Sequence, residues 1–72
     1  MSKPTIGIIG GGQLGSMLCS AAKKLDIKTV IISDDKNAPA QFFTDEFIFC
    51  KYDDDIKIEE FSNKIDFVTY EF

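Results

Sequence analysis

With 72 residues the chain has room for one small domain, and a composition of 44% hydrophobic and 28% charged residues is ordinary for a globular fold. The net charge of −4 excludes a nucleic-acid surface, and all eight basic residues being Lys, with no His, excludes Arg clamps and the commonest general base. No apolar run approaches the ~20 residues of a membrane span, and Met-Ser-Lys-Pro lacks the layout of a signal peptide, so a cytoplasmic protein with no membrane partner is expected.

Thr5–Ile9 is Ile-rich and bounded by glycine, the pattern of a strand buried on both faces. It runs into Gly10-Gly11-Gly12-Gln13-Leu14-Gly15, in which Gly10, Gly12 and Gly15 fit G-x-G-x-x-G. Gly10 permits the tight turn, Gly12 lets a ligand approach the backbone, and Gly15 lets the helix pack close to the strand. The first N–H groups of that helix carry partial positive charge and favour an anion above the loop. From Gln13 to Leu25 the residues Leu14, Met17, Leu18, Ala21, Ala22 and Leu25 recur at spacings of three and four, which predicts one apolar helical face. Lys23 and Lys24 stand near its C-terminal end, where the helix dipole favours cations.

Lys28–Ser33 is a second β-branched run, stopped by Asp34 and Asp35, and completes a β-α-β unit. The segment from Asn37 to Gln41 reads as a turn with at most one or two helical turns. Glu46–Cys50 is a third, short strand. A second helix is expected over Ile56–Ile65, with Asp55 as its cap and Ile58, Phe61 and Ile65 on one face. Asp66–Phe72 closes the chain as a fourth strand. The expected fold is α/β, an open Rossmann-like parallel sheet of about four strands in the order 3-2-1-4, forming one domain over residues 1–72. A fourth strand with no helix after it leaves one sheet face partly bare and an edge free to pair, so the domain is expected to be incomplete at its C-terminus.

Other polar groups read as structure. Asp34 and Asp35 lie roughly 20 residues beyond the glycines, where a dinucleotide fold places its ribose-binding acid, although surface-turn carboxylates are the simpler reading. Asp53-Asp54-Asp55 lacks EF-hand spacing and reads as a solvated cap, with no metal site. Cys19 and Cys50 form no metal-ligand pattern and read as small buried thiols without a disulfide. Phe42, Phe43, Phe47, Phe49, Phe61 and Phe67 read as core or partner-facing residues.

Ile6-Gly7-Ile8-Ile9-Gly10-Gly11-Gly12-Gln13-Leu14-Gly15, Ala38-Pro39-Ala40, the stretch from Asp45 to Tyr52, and Thr69-Tyr70-Glu71-Phe72 together resemble a known family. It is the ATP-grasp enzymes 5-(carboxyamino)imidazole ribonucleotide synthase, the ATPase subunit of phosphoribosylaminoimidazole carboxylase. The resemblance runs from Thr5 onward and implies a truncated preATP-grasp domain, the Rossmann-like N-terminal third of a ligase. Such enzymes carboxylate 5-aminoimidazole ribonucleotide with ATP and bicarbonate in purine synthesis. It also implies that ATP and Mg²⁺ are held mainly by parts absent here, so the isolated chain is expected to bind neither and to be inactive alone. Gly12, Gln13, Leu14 and Glu71 are implied to line the ribonucleotide site. The remaining ATP-grasp domains or a second copy are the implied partners. Ser16 stands where the family usually carries Arg or Lys, which removes a positive charge near the ligand crevice, and Ser33 where it usually carries Asp. Two other readings of the residues stay open: an NAD(P)-binding half of a dehydrogenase, resting on the glycines with Asp34 or Asp35, and a non-enzymatic truncated interaction module.

Overall fold

The computed structural model describes residues 4–70. Four strands, β1 (Thr5–Ile9), β2 (Lys28–Ser33), β3 (Glu46–Phe49) and β4 (Phe67–Tyr70), form one sheet in the order β3-β2-β1-β4. Every pairing is parallel. Helix α1 (Gln13–Lys24) joins β1 to β2, a short 3-10 turn over Pro39–Phe42 lies between β2 and β3, and α2 (Asp55–Asn63) carries the chain from β3 to β4. The expected architecture and strand order are those observed.

Alternation along the strands divides the core in two. Ile8 and Ile31 join Cys19 of α1 and Ala40 of the 3-10 turn, with Ile6 and Phe47 packed against them. On the opposite face Val30, Ile32, Ile48 and Cys50 enclose Phe61 of α2, with Ile9, Ile58 and Ile65 alongside. β2 is central to both clusters, and from Thr29 to Ser33 it is buried without a break. That is why its sequence shows no polar alternation. Its one early polar side chain is satisfied: Thr29 Oγ1 lies 3.0 Å from Thr44 Oγ1, and the Thr29 N–H donates to Asp45 Oδ2 at 2.8 Å. Asp45 thereby fixes the approach of the chain into β3.

The apolar face predicted for α1 is corrected. Its buried residues are Gly15, Cys19 and Ala22, whereas Leu14, Met17, Leu18 and Leu25 are exposed, Leu25 to 71%. Small residues let the helix axis approach the sheet closely, and the larger apolar side chains are left on the outward flank. The cap of α2 is also shifted by one: Asp54 is the N-cap, its carboxylate accepting from the Lys57 N–H at 3.1 Å, and Asp55 is the first helical residue. At the other end Lys64 reaches across to Glu46 at 2.9 Å. Of the phenylalanines, Phe61 is core and Phe47 packs against the other cluster, on the α1 side of the sheet, but Phe42, Phe43, Phe49 and Phe67 are exposed.

Gly7 carries a constraint that its neighbours conceal. A Cβ on Gly7 would lie 2.5 Å from Ile65 Cδ1 and 2.6 Å from Phe61 Cζ. The absence of a side chain in mid-strand is what lets α2 settle onto β1.

Both thiols are free and buried, as expected. Burial pushes the Cys50 thiol above its ordinary value near 9.0, and the negative charge of Asp54 adds to this. The folded state therefore favours the neutral thiol. That contribution is fully present below the thiol's unfolded value and is lost as pH rises through the raised folded one. Chain stability is expected to decline above pH ~9, and alkylation of either thiol at neutral pH to be slow until urea is added. Fast alkylation of Cys50 in the native chain would contradict this.

Candidate functional site: the glycine loop

β1 delivers the chain to Gly10 at the carboxyl end of the sheet. Gly10 has φ 106°, a backbone conformation closed to side-chain-bearing residues, and its N–H donates to Ile32 O at 2.9 Å. The turn is thus anchored to β2. Gly11 is held from the other side: its carbonyl accepts from the Ala40 N–H at 2.9 Å, and an added Cβ would meet Ala38 Cβ at 2.6 Å. Gly12 is the N-cap of α1 with φ −78°, extended backbone that any residue can adopt. Its carbonyl accepts from the Ser16 N–H and the Ser16 hydroxyl, at 3.1 and 3.3 Å. Ser16 therefore turns back onto its own helix.

Gly15 permits a close approach, but to the loop and the 3-10 turn. A Cβ there would sit 3.1 Å from Gly10 O and 3.6 Å from Ala40 Cβ. Gly12 has no side chain with which to cap α1 and no acid stands in the first turn, so the helix's positive end is left uncompensated.

The order β3-β2-β1-β4 gives this loop two flanks. On one side β2 ends at Ser33; on the other β4 ends beside it, Ile9 pairing with Tyr70. The β1–β4 boundary is the point where the direction of winding reverses, the usual place for a ligand in an open α/β sheet. Of the residues expected at the site, Gly12 lies at the loop, and Gln13 and Leu14 form the exposed first turn of α1. Gln13 faces a shallow surface groove shared with Met17 and Phe43. Glu71, which follows Tyr70 in the chain, lies outside the described residues.

The β2 flank holds something that was not singled out as a unit from the sequence. A crevice of about 280 Å³ opens between Gly10–Gly12 and Ser33–Asp35, walled by Ala38, Pro39 and Tyr52. Asp35 is committed to the turn: its N–H donates to Ser33 Oγ at 3.1 Å, and its carboxylate accepts from the Asn37 N–H at 2.9 Å. Burial raises the Tyr52 phenol above its ordinary value, and the charge of Asp34 raises it further, against a hydrogen bond with the Asp34 backbone and one with the Ser33 hydroxyl. Tyr52 is therefore a neutral phenol held against the end of β2. Sequence spacing could point to Asp34, but Tyr52 enters from beyond β3 and gave no local signal.

Among the described residues no group of three or more His, Cys, Asp or Glu is placed to hold a metal ion, and no helix is long and apolar enough to cross a membrane. No cationic side chain lines the crevice. These residues do not fit a Mg²⁺–triphosphate group.

The fold has close counterparts. The chain is 44% identical over 68 residues to N5-carboxyaminoimidazole ribonucleotide synthase from Staphylococcus aureus (strain COL), covering 94% of this chain and 18% of that protein. The crystal structure of N5-carboxyaminoimidazole synthetase from Staphylococcus aureus complexed with ADP superposes with a TM-score of 0.89 at 42% identity, over 99% of this chain and 20% of that one. The phosphoribosylaminoimidazole carboxylase ATPase subunit from Aquifex aeolicus gives 0.81 at 40% identity, over 94% and 20%. The chain thus spans about a fifth of the length of these relatives. The family model for the ribonucleotide synthetase preATP-grasp domain matches residues 3–72, nearly the whole sequence, and the chain belongs to that family.

Proposed function

We propose that the chain serves as the N-terminal preATP-grasp part of an ATP-grasp ligase of purine biosynthesis, one that carboxylates 5-aminoimidazole ribonucleotide using ATP and bicarbonate. In this reading it supplies part of the ribonucleotide site and does not catalyse alone. The observation that carries the reading is the position of the glycine loop, at the carboxyl end of β1 and directly beside β4, where the sheet reverses its winding. Gly12 offers backbone there, the first turn of α1 with Gln13 and Leu14 presents its N–H groups, and Glu71 is the carboxylate that would accept from an amine or a ribose hydroxyl. ATP and Mg²⁺ are assigned to the parts of the relatives that lie beyond the matched residues. Those remaining domains are the partners implied.

Titration of the ¹⁵N-labelled chain with 5-aminoimidazole ribonucleotide is expected to move the amides of Gly12, Gln13, Leu14 and Glu71, and NAD to move none of them. Shifts with NAD centred on Asp34 would replace this reading with the dehydrogenase one, which the crevice beside Asp34 favours. Silence with both would favour an interaction module.

Gly12→Ala separates binding from folding. At φ −78° a Cβ is tolerated, so stability should change by less than about 1 kcal/mol. The added methyl stands on the loop face that the ribonucleotide would approach, so the ligand-induced shifts should be lost. Unchanged shifts in a folded Gly12→Ala chain would count against the site.

A further inference from the structure

A groove of about 410 Å³ runs along the outer flank of α1, and the ribonucleotide reading uses only its head, at Gln13. Met17, Ser20, Ala21 and Lys24 recur along the helix at spacings of three and four and form its floor, and the Phe43 ring is the facing wall. Met17 is 59% and Phe43 50% exposed, so the middle of the groove is apolar and open to water. Both ends are positive. The N-terminus of α1 is uncapped, Lys23 and Lys24 close its last turn, and none of its 12 residues is acidic, in a chain of net charge −4.

The same chain carries the complement on its opposite face. α2 turns Phe61 into the core with Ile58 alongside, which leaves Ile56 and Glu60, on the other side of the helix, pointing outward. Ile56 is 74% exposed. Asp53, Asp54 and Asp55 stand at the head of this helix and Glu59 and Glu60 one turn further on, so the outer stripe runs acid, apolar, acid. At helical rise Asp53 to Glu60 spans about 10 Å and Gln13 to Lys24 about 16 Å, so the stripe fits within the groove with room for side chains at each end. Charge disfavours the simpler pairing of α1 with α1. An antiparallel two-fold along the groove would lay Lys23 and Lys24 of one copy over the uncapped N-terminus of the other.

We infer that the α1 groove takes α2 of a second copy of this chain. The two helices run antiparallel: Ile56 enters between Met17, Ala21 and the Phe43 ring, the acids at residues 53–55 face Lys23 and Lys24, and Glu60 lies toward the uncapped N-terminus. Because α1 and α2 cover opposite faces of the sheet, each copy in a pair still offers one groove or one stripe, and the contact repeats head to tail without closing. Helices of 12 and 9 residues bury less than the ~1,200 Å² of a lasting complex, so the association is transient, built by concentration and weakened by salt. The contact does not depend on the ribonucleotide reading.

Sedimentation equilibrium of the full 72-residue chain is the test. The weight-average mass is expected to climb from 8.1 kDa with concentration and to pass twice that value by about 1 mM, with no plateau at a pair. Raising NaCl from about 0.05 M to about 0.5 M should weaken the association roughly fivefold. The double substitution Lys23→Glu with Lys24→Glu, and the double substitution Asp53→Lys with Glu60→Lys, should each weaken it roughly tenfold or more. An equimolar mixture of the two variants should restore it, because every groove then meets a stripe of opposite charge. Ile56→Ser, which alters no charge and no buried residue, should also weaken it while leaving the urea midpoint where it was, and decides the matter if a charge variant fails to fold. A mass that stays at 8.1 kDa up to about 2 mM, that levels at twice this value as pairing through the β4 edge would give, or that ignores salt would overturn the proposal. So would a mixture no heavier than its two folded components.

Discussion

Replacing Phe61 with Ala is expected to remove most of the stability of the chain. Phe61 is 4% exposed and sits at the centre of the cluster formed by Val30, Ile32, Ile48 and Cys50. It is also the ring that occupies the space left by the missing side chain of Gly7. Truncating a buried Phe costs about 3–5 kcal/mol, because the transfer energy is lost and the cavity closes only partly. The whole folding free energy of a chain this length is about 4–11 kcal/mol. The collapse that would heal the cavity is blocked on both sides, by the strand backbone at Gly7 and by the short α2, which has few other anchors. Urea unfolding followed by far-UV circular dichroism should show the midpoint falling by ~3 M or more, for an m-value of about 1 kcal/mol/M. Phe61→Leu, which fills part of the space, should lose roughly half as much. A midpoint in Phe61→Ala equal to that of the native chain would show that α2 does not hold the sheet in the way described.

The second large effect is expected one residue away from a nearly silent one. In Gly11→Ala the new methyl would lie 2.6 Å from Ala38 Cβ and 3.4 Å from Ser33 Cβ. Neither atom can swing aside, because a Cβ is fixed to its backbone. The loop must part from the Ala38–Ala40 segment, and the Ala40 N–H would lose its 2.9 Å acceptor on Gly11. Overpacking and the lost hydrogen bond together should cost about 2–4 kcal/mol. Gly12→Ala is the internal control, with a backbone conformation open to any residue and an expected cost below about 1 kcal/mol. If the two variants unfolded at the same urea concentration, the loop would not be clamped at Gly11. The same experiment also separates positions that the glycine pattern runs together. Gly10 and Gly11 build the turn, whereas the backbone of Gly12 is open to any residue.

The strands were legible because each is a local signal, clearest in β1 and β2, β-branched runs ended by glycine or by acids at Ile9–Gly10 and Ser33–Asp34. Their order followed from the glycine loop, since a β-α-β unit of this kind has few ways to wind. The inner face of α1 was not legible. Leu14, Met17, Leu18 and Leu25 make the stronger periodic signal, yet the helix buries Gly15, Cys19 and Ala22, at spacings of four and three. Hydrophobic periodicity weighs side-chain size, whereas close packing onto a glycine turn selects for small residues. Gly7 was equally silent, because its reason lies in Phe61 and Ile65, which are distant in sequence. At the candidate site the loop could be placed from sequence, and Asp34 could be noticed. Tyr52 could not be joined to them before β3 was seen to bring the chain back past the end of β2. Asp54 displaced Asp55 as the cap of α2 by a single residue, a boundary that depends on where the first helical dihedral falls.

The winding of this sheet decides which surfaces sequential growth can cover. From β1 to β3 it proceeds in one direction, with α1 and the 3-10 turn on one face; the crossover to β4 runs the other way and places α2 on the opposite face. A right-handed crossover leaving β4 for a new strand at its free edge must land beside α2, over Val68 and Tyr70, which share the face of Gly7 and Ile9. It cannot reach Phe67 and Thr69, which share the face of Ile6 and Ile8, nor the outward Leu14, Leu18 and Leu25 of α1. Strand-by-strand extension would therefore leave a greasy stripe on the α1 side. Only an element from elsewhere in an assembly, and not the next crossover in the chain, can shield it from water.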